Sequence, residues 1–170
     1  LCYTWPDDSF VAQLRGHLRA GPDSAIAAAR LLHEHRMLNG DDRRQLIMML
    51  DGVEDREARE GMAMSLAEVG ITSGVPAAKK RLARPLDPLD MEGSLSGLFP
   101  VIHVATNLGT RAAELIPPME EKLAELKSLA PDRTGDLEVA LETLKGNRPP
   151  VDSLAVNGSG YLHRLEDSTP

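Results

Sequence analysis

Within LLHEHRML (Leu31–Leu38) two imidazoles flank a carboxylate: His33, Glu34 and His35. Imidazole and carboxylate are common ligands of first-row transition metals, so this triplet is where a metal-dependent catalyst would be sought. The spacing works against a shared ion. Successive residues of an α-helix are turned by about 100°, which sets His35 roughly 200° from His33. The HExxH arrangement, by contrast, puts its two histidines one turn apart. On the same wheel His33 falls with Ile26, Ala29 and Met37, so it is expected as a partly buried histidine hydrogen-bonded within the packing. His103, beside Phe99 and Ile102, carries the same expectation. His33 and Glu34 remain the residues a metal site would use, and no cofactor is expected.

Other chemistry has less to stand on. The chain contains no P-loop, no GxGxxG and no GxSxG. Its one cysteine, Cys2, excludes an internal disulfide and fits a reducing compartment, so a cytoplasmic location is favoured. Asp87, Asp90 and Glu92 cluster in RPLDPLDME, without the ligand spacing of an EF-hand, and read as a solvated acidic connection. The basic run KKRLAR places Lys79, Lys80, Arg81 and Arg84 together. Phosphate-backbone binding needs a positive footprint. The chain instead carries 26 acidic against 19 basic side chains, a net charge of −7. That balance disfavours nucleic acid and anionic membrane and suits a basic protein partner. No apolar run approaches the roughly 20 residues that span a bilayer.

The elements that would position these groups are helices. Aromatic residues make up only 3% of the chain and the hydrophobic fraction is 42%, so Leu, Ala, Met and Val must fill the interior. WPDDS opens a first helix carrying Phe10, Val11, Leu14 and Leu18, ended at Gly21-Pro22. Asp23 is expected to cap a second helix that runs to about Leu38 and stops at Asn39-Gly40. Asp41-Asp42 opens a third, closed at Asp51-Gly52.

DREAREGMAMSLAEVG and VPAAKKRLAR then form an antiparallel helical hairpin around Gly70, with Pro76 in the first turn of the second helix. The hairpin recurs: Val75-Pro76 and Leu82 correspond to Ile116-Pro117 and Leu123 at a shift of 41 residues, and Gly70 corresponds to Gly109. SLSGLFPVIHVATNLG, ahead of the second turn, is apolar nearly all round and reads as a helix covered on several sides and kinked at Pro100. A last helix spans roughly Gly135–Lys145. After Gly146 the composition changes, and SLAV and YLHRL flanking NGSG read as a short hairpin or a tail.

The segment from Asp55 resembles a HEAT-like repeat, on Asp55, Arg59, Leu66, Gly70, Val75, Pro76 and Leu82. The copy around Gly109–Leu123 is a fair match and the one around Asp23–Leu50 a poor one. The resemblance implies an all-α, short right-handed α-solenoid of antiparallel hairpins over residues 6–146, followed by a C-terminal tail or hairpin over 147–170.

It also implies three kinds of function. In most such stacks the second helices line a concave side, which would set Lys79-Lys80 beside Glu120-Glu121. Lys79, Lys80, Arg81, Arg84, Glu120 and Glu121 are then the expected partner-binding residues of a non-enzymatic protein-interaction module, an adaptor or an immunity-type neutraliser of a basic protein. Deoxyhypusine hydroxylases, built on similar repeats, hold di-iron through His-Glu pairs, of which only His33-Glu34 is present here. Alkylpurine DNA glycosylases of this architecture cradle DNA on a basic concave surface, a stripe that Glu120 and Glu121 would interrupt. The chain also begins at Leu1, with Tyr3, Trp5 and Phe10 near its start, as a piece of a longer solenoid would; self-association is expected in that case.

Overall fold

The computed structural model describes residues 7–150, among which every regular element is a helix and none is a strand. The helices are α1 (Asp8–His17), α2 (Pro22–Glu34), α3 (Gly40–Asp51), α4 (Arg56–Ser65), α5 (Val75–Leu82), α6 (Met91–Leu108), α7 (Ile116–Leu129) and α8 (Gly135–Leu144). Short 3-10 turns follow α4 (Leu66–Val69), precede α5 (Thr72–Gly74) and link α6 to α7 (Gly109–Leu115). The expected hairpin at SLAV–NGSG–YLHRL lies outside the described residues.

Several helix ends differ from the sequence reading, for local reasons. Helix α2 starts with Gly21 as its cap and Pro22 in the first turn, so Asp23 lies inside it. It stops at Glu34 rather than Leu38, because Arg36 takes a left-handed conformation with φ 58°. Asn39 does not end α2. Its side chain accepts from the Asp42 N–H while Asp42 accepts from the Asn39 N–H, a reciprocal capping box that starts α3. Asp42 is thereby buried, and Arg15 of α1 reaches it at 3.2 Å.

The helices meet in series. Helix α2 meets α4 and its following turn, α4 meets α6, and α6 meets α8, while α5 packs on α6 and α7. Two apolar cores result. One holds Val11, Leu14, Leu18, Leu32, Leu46, Met62 and Leu66; the other holds Met64, Ala67, Val75, Leu82, Val101, Leu115, Met119 and Leu141. The segment from α4 to Val69 supplies both, with Met62, Leu66 and Val69 on one side and Met64 and Ala67 on the other. It is the wall between them. Its fully buried leucine, Leu66, contributes about 1.5–3 kcal/mol.

The return from that wall is tight. Gly70 ends it with φ 76°, the left-handed conformation glycine adopts without a Cβ penalty. Gly74 then lies flat on the wall, where a Cβ would stand 2.5 Å from the Ala63 carbonyl oxygen and 2.7 Å from the Met64 Cα. Gly61, one turn earlier in α4, has open space where its Cβ would be. Opposite outcomes follow for one chemical change. Gly74→Ala forces backbone apart and is expected to cost about 3 kcal/mol or prevent folding, whereas Gly61→Ala stabilises by about 0.5–1 kcal/mol through helix propensity. Urea denaturation of the two variants checks both signs.

Candidate functional site

Helix α6 was expected to be covered on several sides. It buries Leu98, Val101, Val104, Ala105 and Leu108, yet leaves Phe99 51% exposed and His103 exposed. The expectation of a partly buried His103 is therefore corrected: it shares the open side of α6 with Phe99. Helices α4, α5 and α8 all meet α6, and Phe99 and His103 lie on the side they leave exposed. Pro100 sits inside a continuous α6 on this side, where its ring and missing N–H disturb the bond to the Ser96 carbonyl.

Phe99 stands between two clefts. One, of about 290 Å³, is lined by Leu95, Leu98, Phe99, Ile102, Leu126 and Leu137 together with Asp132, Arg133, Gly135 and Asp136. Arg133 is turned to Glu92 at 3.3 Å and to Asp132 at 3.8 Å, while Asp136 has no ion pair among the described residues. The other, of about 350 Å³, adds Met64, Glu68, Arg81, Pro100 and His103 to Phe99. Glu68 there is held by Arg30 of α2. An apolar floor with carboxylates beside it suits an apolar side chain accompanied by cations.

Net charge has the same address. Residues 7–85 carry twelve acidic and twelve basic side chains, and residues 86–150 carry eleven and six. Among the described residues the negative balance thus belongs to the part of the chain that holds α6 to α8.

The basic run does not form one patch. Lys79 is exposed, Lys80 pairs with Glu60 at 2.8 Å, and Arg81 turns into the cleft beside Phe99, where its Nε is buried without a partner. Lys80 and Glu60 line a different cleft with Asp51, Arg59 and Ser73. Arg84 lies past the end of α5, and its carbonyl accepts from Lys122 Nζ at 2.6 Å. Glu120 pairs with Lys145 at 2.8 Å, and Glu121 is exposed. A rotation of about 100° per residue accounts for the scatter.

His33 is half-buried in the last turn of α2, Glu34 is exposed at its end, and His35 is half-buried as the capping residue. Among the described residues no three His, Cys, Asp or Glu side chains gather as a metal site, and no helix is long and apolar enough to cross a membrane. The acidic connection has local duties: Asp90 caps α6 through the Gly93 N–H, and Asp87 accepts from the Leu89 N–H.

Two arrangements had no signature in the sequence. Lys122, 4% exposed, donates to the Arg84 carbonyl and to Glu125, whose other oxygen accepts the Leu86 N–H at 2.7 Å. This clamp fixes the connection from α5 to α6. Arg43 and Arg111, far apart in sequence, meet at the Gly70 turn: Arg43 donates to the Val69 carbonyl at 2.6 Å and Arg111 to the Gly70 carbonyl at 3.0 Å.

The chain matches no known protein family, no curated protein and no solved structure.

Lys122 and the Leu86 N–H hold the Glu125 carboxyl below the usual carboxylate range. A depressed folded pKa stabilises above the unfolded value of about 4.3 and is lost as pH falls through the folded value. Lys80 and Lys127 depress Glu60 and Glu138 in the same direction. Stability is therefore expected to fall below about pH 4.3, and less steeply in Glu125→Ala. At neutral pH that variant strands the buried Lys122 cation and costs on the order of 2–3 kcal/mol, more than Lys122→Met, which removes the cation with it. Chemical denaturation at pH 7 and pH 3.5 measures both effects.

Proposed function

We propose that this chain is a non-catalytic protein-interaction module that takes a basic partner on the open side of α6, an apolar side chain of the partner settling beside Phe99. The observation that carries the reading is Phe99 itself. The chain has two phenylalanines among 170 residues, and its interior is filled by Leu, Ala, Met and Val. A half-exposed phenylalanine with a cleft on either side is a ready anchor point, because buried aromatics dominate binding energy at interfaces. The acidic excess of residues 86–150, and Asp132 and Asp136 beside the cleft, select cations around that anchor and speed its encounter.

In this reading α4–α5 and α6–α7 are HEAT-like units offset by 41 residues, and the exposed side belongs to the first helix of the second unit. An adaptor, or a neutraliser of a basic protein such as an immunity protein, uses such a surface. Lys80 and Glu120 are already engaged within the chain, so they contribute ion pairs worth little at the surface rather than the anchor.

A peptide-display selection on the full chain tests this. Recovered sequences are expected to share one large apolar residue flanked by Lys or Arg. Their affinity should fall about tenfold to a hundredfold in Phe99→Ser, and in Asp136→Lys mainly through a slower association that is less sensitive to salt. Phe99→Ser is a surface change, so its melting temperature serves as the folding control. Selected peptides without basic residues, or binding indifferent to Phe99→Ser, would overturn the proposal.

A further inference from the structure

The end of the 3-10 turn Leu66–Val69 carries two cations where one helix end offers a small negative charge. Arg43, in the first turns of α3, donates to the Val69 carbonyl, and Arg111, in the α6–α7 link, donates to the Gly70 carbonyl. The Arg111 guanidinium lies against Gly70, where a Cβ would stand 3.1 Å from its Nη2 and 3.6 Å from the Arg43 Nη1. Three separate segments thus converge on one glycine, with two guanidinium groups side by side.

Capping the helix end explains one N–H of each arginine. It does not neutralise them. A helix C-terminus presents roughly half a negative charge, against two full positive ones. None of the ion pairs among the described residues includes either side chain, although the chain has an acidic excess and pairs Arg15, Arg30, Arg44, Arg56 and Arg133 with carboxylates. Burial and the neighbouring Arg111 both push the Arg43 pKa down. Most of the N–H donors of both forks are uncommitted to protein acceptors, and Arg111 is exposed.

We infer that Arg43 and Arg111 form a binding site for an oxyanion of the phosphate type, held between the two guanidinium groups at the Gly70 turn. Planar forks match the spacing of phosphate oxygens and bind them through paired charge-assisted hydrogen bonds. A bound dianion would cancel the repulsion that the fold leaves standing. It would also tie α3 to the α6–α7 link across the turn, so the site would couple ligand binding to the stability of both cores. The same chemistry fits a free phosphate and a phosphorylated side chain.

The test is a titration of the full chain with inorganic phosphate at constant ionic strength set with chloride, read by calorimetry and by the arginine Nε–H resonances. Saturable binding with a dissociation constant below about 1 mM is expected, together with a rise in melting temperature. Arg111→Gln should weaken it at least about tenfold, and Arg111→Lys less, since charge is kept and the fork is lost. Arg111 is exposed, so its variants are decisive even where Arg43→Gln fails to fold. A phosphoserine peptide titrated alongside assigns the source: tighter binding than inorganic phosphate points to a modified partner, equal binding to a free anion. Absence of saturation by about 20 mM phosphate, or equal affinities for the wild type and Arg111→Gln, would overturn the site.

Discussion

The packing of Gly74 on the backbone of α4 is the constraint on which the remaining structure depends. Helix α4 and the turn after it must be apolar on two sides to separate two cores, and they have few residues in which to achieve it. Alternating Met62, Ala63 and Met64 with Leu66, Ala67 and Val69 does so. The turn back can stay in contact with that wall only if nothing projects from it at Gly74. Close packing of this kind leaves no room for adjustment, since interiors have crystal-like density. From that contact α5 is directed onto α6, and α6 onto α8.

What the cores consume determines what the surface shows. Alanine and leucine supply nearly all of the most deeply buried positions, with Met119 and a few valines. Phe99 is left on the outside of a helix whose other side is fully packed, and Met48, 68% exposed on α3, is a second large apolar group without cover. Single exposed apolar residues are ordinary in folded proteins. Phe99 differs because α4 and α8 hold clefts on both of its sides, so a partner could desolvate the whole ring rather than one edge.

The all-α class was legible in composition, and so were the left-handed end at Gly70 and the prolines Pro76 and Pro117 in the first turns of α5 and α7. Left-handed helix ends and prolines in first turns are local physics, readable from neighbours in sequence. Asn39 was ambiguous for the same local reason, since its side chain serves equally at the end of one helix and the start of the next. Arg36 in a left-handed conformation had no warning at all. The exposure of His103 and Phe99 was illegible because a helical wheel shows which residues share a face and not how many neighbours cover it. Arg43, Arg111 and the Lys122–Glu125 clamp depend on contacts across 26 to 41 residues, which no periodicity reports.

The recurrence itself explains why the basic run is a poor guide to a binding surface. At a shift of 41 residues in the sequence Arg81 corresponds to Lys122; Arg81 on α5 is half-buried and Lys122 on α7 is buried. A long aliphatic stem covers apolar neighbours while the charged head seeks acceptors at the end of the helix. Lys122 finds two, because the chain leaving α5 passes over it and offers the Arg84 carbonyl, with Glu125 completing the pair. Arg81 has no preceding connection in the equivalent place, and its Nε stays buried and unpaired beside Phe99. The setting of a cation at this position thus depends on whether a neighbouring segment brings acceptors to it, and not on the local sequence around it.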